Sequence, residues 1–352
     1  MRYVFWLLLI LLIFVRYITT RPDFSNGDKI RITSRVSSEP IKYSTSQGLT
    51  LFGLRFYLPN YPEVTYGDKI VVEGIVEDGK LKNPKLINLE PATGVLFKTR
   101  GKIIRIYQES LPEPHAALVA GVTLGSKSSL PEIFWESLKK TSTIHVVVAS
   151  GMNVTLVAGF LMGILILFLP RKKAVPIALV GIWLYSLLSG FDAPIVRAAI
   201  MGSVAFAAQG LGRLYAARRA LLLSAAAMLI IKPDWIGDLG FILSFVATAS
   251  LMLFERKIAR LIHFVPGIFR EGLSTSLAAQ IGVAPILFVT FGQFSLLSPI
   301  INALVLWTIA PITIMGGMAG IVGLASGFLG KTVLLLSFPL TSWFIWIVEV
   351  FA

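Results

Sequence analysis

From Ile144 onward the sequence is a succession of long apolar stretches separated by short loops, and this limits the possible fold more than any other feature. At 1.5 Å per helical residue, about 20 apolar residues match a hydrocarbon layer roughly 30 Å thick. The candidate spans are Ile144 to Leu169, Ala174 to Ser189, Ala193 to Leu211, Ala220 to Ile231, Gly240 to Phe254, Leu273 to Phe291, Leu297 to Met315 and Thr332 to Val350. Between the last two, Gly316 to Gly330 reads either as the tail of a bent helix or as a span of its own. Composition agrees: 55% of the 352 residues are hydrophobic and 14% charged, against about 25% charged in soluble proteins. The expected fold is a polytopic α-helical membrane protein with a small extracytoplasmic β-barrel (OB-like) domain near the N-terminus.

Four segments follow from the pattern. Residues 1–21 read as an uncleaved signal-anchor helix in which Arg16 would snorkel. A cleaved signal peptide is the alternative, but Arg16-Tyr17-Ile18-Thr19-Thr20-Arg21 lacks the small-x-small cleavage pattern. Residues 22–97 form the OB-like β domain. Alternation in Lys29 to Ser34, Leu51 to Leu58 and Asp68 to Val76, with turns at Ser25-Asn26-Gly27-Asp28, Ser46-Gln47-Gly48, Pro59-Asn60-Tyr61-Pro62 and Glu77-Asp78-Gly79-Lys80, suits five short strands. Residues 98–142 hold interfacial amphipathic helices at His115 to Val122 and Pro131 to Leu138, and 143–352 form the transmembrane bundle.

The net charge of +13 could mean nucleic acid, anionic lipid or topology. Alternate threading puts Arg171, Lys172, Lys173, Arg213, Arg218, Arg219, Arg256, Lys257, Arg260 and Arg270 in cytoplasmic loops, with Lys232 alone opposite. That asymmetry places the β domain outside. From Pro22 to Ala92 cations and anions cancel, so the β domain carries no electrostatic footprint of phosphate binding. Phe56, Tyr57 and Tyr61 are candidate base-stacking rings, weighed against ordinary packing roles. The absence of cysteine excludes disulfides and thiolate metal sites, and three histidines make no metal cluster. No cofactor, metal or catalytic residue is expected.

Polar residues interrupt the apolar spans in a few places. His145, Ser150, Gly151, Asn153 and Thr155 fall in one segment, where interhelical packing and a polar pathway lining are both open. A Ser150–His145 hydrolase is disfavoured, since residues five apart diverge by about 140° on a helix and no Gly-x-Ser-x-Gly elbow surrounds Ser150. Asp192 and Asp238 precede helices, where capping is the ordinary role. Arg197 lies about one turn inside an apolar helix, so it either snorkels or faces a polar cavity or anion path, with Asp192 or Asp238 as partners. Gln280 and Pro285 share a span, and Gln293 and Asn302 lie near the ends of others.

Four blocks carry a family resemblance: Thr143 to Val154, Ser189 to Met201, Pro233 to Phe245, and Gln280 to Asn302 with Pro285, Phe291, Gly292 and Gln293. With Gly67-Asp68-Lys69-Ile70-Val71-Val72-Glu73-Gly74 and Asn83-Pro84, the chain from about Phe24 onward resembles the ComEC-type competence family, whose members are inner-membrane channels of natural transformation. The resemblance implies a channel component that takes up single-stranded DNA. It carries over His145, Ser150, Gly151, Asn153, Asp192, Arg197, Asp238 and Gln280 as DNA-pathway or structural positions. Implied partners are single-stranded DNA, membrane lipid, other proteins of the competence machinery, a separate nuclease and further copies of the chain. Asn153 stands where the family usually has a second histidine, and the chain stops at Ala352, before the metallo-β-lactamase-like domain found in many members. The alternative function is a membrane scaffold or assembly protein whose OB-like domain binds a protein or glycan partner.

Overall fold

The computed structural model describes residues 2–20, 24–43, 45–127, 130–148, 150–210, 216–291 and 297–352. Arg213, Gly292 and Gln293 lie outside them. After helix α1 (Arg2–Thr20) come β1 (Lys29–Arg35), β2 (Ile41–Lys42), β3 (Ser46–Leu51), β4 (Leu54–Pro59), β5 (Lys69–Glu77) and β6 (Lys80–Glu90). The rest is helical: α2 (Val95–Ser110), α3 (His115–Leu124), α4 (Glu132–Lys140), α5 (Ile144–Val147), α6 (Gly151–Phe168), α7 (Arg171–Leu188), α8 (Ala193–Gly210) and α9 (Ala217–Ile231). A 3-10 turn (Pro233–Gly237) leads into α10 (Leu239–Leu261), α11 (Gly267–Phe291), α12 (Ser298–Ala325), α13 (Gly327–Leu335) and α14 (Phe338–Val350).

The strands form one sheet in the order β1-β5-β6-β4-β3-β2. Two-residue turns join β3 to β4 and β5 to β6. Both central residues of each have positive φ (Phe52 and Gly53, Asp78 and Gly79), the type I′ geometry that matches strand twist. Alternate residues, including Ile32, Leu49, Phe56, Leu58, Ile70 and Val72, meet in an apolar core. The expected five-stranded barrel is corrected in two respects. There are six strands, and β1 and β2 stand at opposite edges of a sheet that the described residues do not close. One reason is that β2 pairs only through Ile41 and Lys42, too few residues to continue a ladder.

Asp68 fastens the sheet to the helices. One carboxylate oxygen accepts from the N–H and hydroxyl of Thr65 (2.7 and 2.8 Å), and the other from Ala92 N–H (2.8 Å), just ahead of α2. Gly67 has φ +93°, and a Cβ there would overlap the Phe97 ring of α2. Its neighbour Tyr66 packs edge-on against the same ring at 5.3 Å.

By length and composition, Ile144–Phe168, Leu239–Leu261, Gly267–Thr290 and Ser298–Ala325 can each cross a membrane; α13 and α14, bent by 49°, form a fifth candidate. The first of these contains a break: Val148 is extended, and α6 starts afresh after Ser150. α7, α8 and α9 form over expected spans with 15–18 residues each. α12 runs unbroken to Ala325, which resolves most of the glycine-rich stretch as its tail. Its start packs against the first half of α11, where Asn302 Nδ2 donates to Ser276 Oγ at 2.8 Å. α1 lies along α9, and Arg16 Nε donates to Ile230 O at 3.3 Å.

Another expectation is overturned at α3. Instead of having one apolar and one polar face, α3 is buried on every side from Ala116 to Leu124, in a core that includes Tyr107 of α2, Ile309 and Ile312 of α12 and Phe344 of α14. Its sequence has no polar face to offer water. α4 fits the amphipathic expectation, burying Phe134 and Leu138 while Ile133 is 85% exposed.

Gly67→Ala should cost about 2 kcal/mol through backbone strain and overlap with Phe97. The melting temperature of the detergent-purified chain should fall by several degrees; an unchanged value would mean the Gly67–Phe97 approach is not a constraint.

Candidate functional site

Three of the four family blocks, Thr143 to Val154, Ser189 to Met201 and Pro233 to Phe245, meet at the end of the bundle that faces the sheet. α6, α8 and α10 all begin there. A Cβ on Gly151 would lie 2.8 Å from Arg197 Nη2 and 3.3 Å from Ala198 Cβ, so glycine lets the first turn of α6 approach α8 without displacing the guanidinium. The start of α10 reaches the same place, where Pro194 Cδ lies 3.9 Å from the Cβ position of Gly240, an ordinary contact distance.

Arg197 occupies the centre of this meeting. Its Nε donates to Ser244 Oγ at 2.8 Å, its Nη1 donates to Thr248 Oγ1, and its guanidinium lies 5.9 Å from the centroid of the Phe245 ring. Met201 Sδ is 3.8 Å from Nη1. Asp238 caps α10 by accepting from Phe241 N–H at 2.8 Å, its ordinary role. Asp192 binds Lys127 Nζ at 2.9 Å instead.

Lys127 was not singled out in the sequence, because a lysine in the polar linker Gly125-Ser126-Lys127 reads as a surface residue. Burial alone would lower its pKa, but the adjacent Asp192, with Glu39 and Asp238 farther off, outweighs burial and holds the ammonium above its usual 10.5. Ser244 and Thr248 also escaped notice as a pair. Their signal was the four-residue spacing, which puts both hydroxyls on one face of an apolar helix.

Beside this cluster lies a buried ion pair between Arg100 of α2 and Glu39 of the sheet domain, their side chains 8% and 6% exposed. Arg100 Nε also donates to Leu188 O (2.8 Å) at the end of α7, and Nη2 to Leu124 O (3.3 Å) at the end of α3. Ser126 Oγ donates to Glu39 Oε1 at 3.1 Å, and the guanidinium lies 5.6 Å from the centroid of the Tyr66 ring. Burial raises the pKa of the Tyr66 phenol, with Arg100 opposing.

The remaining candidates separate. Ser150 is half-buried at the N-cap of α6 without a side-chain capping bond, while His145 is exposed on the other side of the break. No hydrogen bond between them is present among the described residues. Asn153 is fully buried and donates to Val122 O at 2.7 Å, binding α6 to the last turn of α3. Gln280 lies apart, lining an open groove beside Leu277, Ala284 and Pro285. In the sheet domain Phe56 is a core residue, 1% exposed, and is corrected as a stacking candidate because its strand position points inward. Tyr57 and Tyr61 are exposed, and Tyr43, absent from the sequence-based candidates, packs edge-on against Tyr57 at 5.8 Å.

Chemically, the arrangement gathers positive potential. The formal charges of Lys127, Arg197 and Arg100 balance those of Asp192, Asp238 and Glu39, and the three helix N-termini, each roughly half an elementary positive charge, outnumber the two C-termini of α3 and α7 on Arg100.

Arg100→Met should destabilise the chain by about 3–5 kcal/mol by leaving Glu39 buried and unpaired, and adding Glu39→Leu should restore much of the loss. Denaturation of the purified variants reads both; equal stability of Arg100→Met and wild type would exclude the pair as an anchor. Lys127→Met should cost about 2 kcal/mol, a typical charged hydrogen bond. Because the folded pKa is raised, this contribution is fully present below the unfolded value of about 10.4 and is lost as pH rises through the folded one. The gap between wild type and variant should therefore be flat from neutrality to mildly alkaline pH and close only in strong alkali; a gap closing near neutrality would contradict the assignment.

The family model described as "Competence protein" matches residues 122–352, which contain α6, α8, α10 and all of the Arg197 contacts. "ComE operon protein 3" of Bacillus subtilis (strain 168) is 28% identical over 227 residues, covering 64% of this chain and 29% of that protein. "Competence protein ComA" of Neisseria gonorrhoeae is 27% identical over 220 residues, covering 57% and 30%. An "Uncharacterized protein" of Aquifex aeolicus (strain VF5) is 28% identical over 232 residues, covering 65% and 52%. The chain thus spans less than a third of the length of the first two relatives. No solved structure matches. With about two thirds of its length matched by that model, and with its helix N-termini and central arginine inside the match, the chain belongs to the competence protein family.

Proposed function

We propose that the chain is a multi-pass component of the cell membrane that forms part of the passage for single-stranded DNA during natural transformation, with its sheet domain outside the cell. The observation that carries this reading is the meeting of three helix N-termini around Arg197 at the end of the bundle nearest the sheet domain. Broken helices whose N-termini face an anionic substrate are a recurrent device in membrane transport, and α5 and α6 are such a broken pair. A nucleic-acid strand carries one negative charge per nucleotide, so a mouth lined by helix N-termini and an arginine attracts its backbone whatever the base sequence. The names of the relatives support a role in competence, and the excess of basic residues in the loops far from the sheet supports its outward placement. In this reading the chain does no chemistry, and a separate nuclease and energy source act beside it.

A second reading, a closed membrane scaffold whose sheet binds a protein or glycan, draws on the balanced charge of the sheet domain and the exposed Tyr43, Tyr57 and Tyr61. Uptake of labelled oligonucleotide by liposomes holding the purified chain separates the two, since only a passage admits the strand.

In a transformable host, Arg197→Ala should reduce entry of labelled DNA into the cytoplasm about tenfold, equivalent to about 1.4 kcal/mol of lost interaction. Arg197→Lys should retain part of the uptake. Normal entry in Arg197→Ala, at membrane levels equal to wild type, would remove Arg197 from the passage.

A further inference from the structure

At the opposite end of α10, roughly 25 Å from its capped start at 1.5 Å per residue, α9 and α10 border an open cavity of about 1110 Å³. Arg218 and Arg219 enter it from the first turn of α9, and Arg256 enters from α10. Leu251, Met252 and Leu253 make the wall between them. The single acid of the described lining, Glu255, accepts from Thr275 Oγ1 at 3.4 Å and so leans toward α11. Among the described residues no ion pair or hydrogen bond holds Arg218, Arg219 or Arg256.

We propose that this cavity binds the headgroup of an anionic phospholipid. The placement of the two α9 arginines is the first reason. A helix N-terminus is already positive and favours acids, yet α9 begins with Arg218 and Arg219, with no acid in its first turn and no side-chain cap. Arg256 sits near the other pole of its own helix, where a cation is favoured, so only the α9 pair is costly without an anion between the helices. A bias toward cytoplasmic cations would be met by basic residues anywhere in the loop and does not require three to line one cavity. The second reason is the wall. Leu253 is 58% exposed and Leu222, one turn beyond the arginines, 56% exposed, which leaves apolar surface running from the guanidinium groups along the bundle. Phosphate against guanidinium with an acyl chain against leucine is phospholipid chemistry, and basic pockets between helices on the cytoplasmic side are built for it. The wall between the arginines is aliphatic, Leu251, Met252 and Leu253, and so suits an acyl chain.

The proposal rests on the membrane reading above, and the experiment separates the two. The full chain is placed in nanodiscs of phosphatidylcholine with and without phosphatidylglycerol, and retained lipid is measured by native mass spectrometry. Wild type should enter the discs and retain phosphatidylglycerol selectively. Arg218→Gln/Arg219→Gln should reduce that retention about twenty-five-fold, each basic residue near an anionic headgroup being worth about fivefold. Arg270→Gln, at a residue that donates to His263 O at 3.3 Å outside the cavity, should leave it unchanged. If the double variant loses its helical circular dichroism, Arg256→Gln takes its place, with about a fivefold loss expected. Wild type entering the discs without lipid preference, an equal loss in Arg270→Gln, full displacement by inorganic phosphate, or stronger retention of an oligonucleotide than of lipid would each overturn the site. A chain that enters no disc would overturn the membrane reading itself.

Discussion

The guanidinium of Arg100 binds together three parts of the chain that lie far apart in sequence. It reaches the sheet through Glu39, the end of α3 through Leu124 O and the end of α7 through Leu188 O. Two buried charges cost several kcal/mol each when removed from water, and the cost is offset only when their hydrogen-bonding capacity is used. Here it is used on helix C-termini, whose last carbonyls lack intrahelical partners and whose dipoles favour a cation. Arg100 is therefore at once the ion-pair partner of the sheet and a shared cap for two helices. Moving the sheet would strand Glu39 and expose both helix ends together.

That anchoring explains why charges collect where they do. The link after α3 holds Ser126 on Glu39 and Lys127 on Asp192, so the two residues following Gly125 join the sheet to the start of α8. Asn153 supplies a second cap to α3 at Val122 O, fixing α6 alongside it. Once α3, α6 and α7 are held in this way, the glycine at 151 lets α6 close on α8, and Arg197 joins α8 to α10 through Ser244. Two helix C-termini and three N-termini thus share one end of the bundle, and each kind is matched by side chains of the opposite sign except around Arg197.

Much of this was readable in the sequence where local chemistry decides the outcome. The Glu77-Asp78-Gly79-Lys80 turn, the strand after Gly67, the helix after Asp238 and the apolar stretches each follow from neighbouring residues. What was hidden depends on contacts distant in sequence. Arg100 and Glu39 are 61 residues apart, and neither stands in an unusual local context. α3 was misplaced because ten residues are too few to span a membrane, and length cannot separate an interfacial helix from one enclosed by its neighbours. Phe56 was misassigned because adjacent aromatics at 56 and 57 alternate across the sheet, one inward and one outward, and the alternation was visible without its phase. Gly151 was legible as a packing or pathway position, but that its missing Cβ makes room for Arg197 required the fold.

The chemistry around Arg197 also bears on how strongly such a site should hold an anion. A conducting site must attract its cargo yet release it, which favours weak, shared contacts over deep burial of charge. Ser244 and Thr248 orient the guanidinium through hydroxyls, which fix its geometry without neutralising it as a carboxylate at the same distance would. Asp192 and Asp238 are engaged by Lys127 and by the first turn of α10, which keeps those acids occupied while leaving their charge nearby to moderate the field. The net attraction then comes mainly from helix dipoles, about half a charge each and fixed in the backbone. Under the proposed passage, a sheet domain with balanced charge suits the same requirement, because a strongly cationic surface ahead of a mouth would retain a polyanion before it reached Arg197.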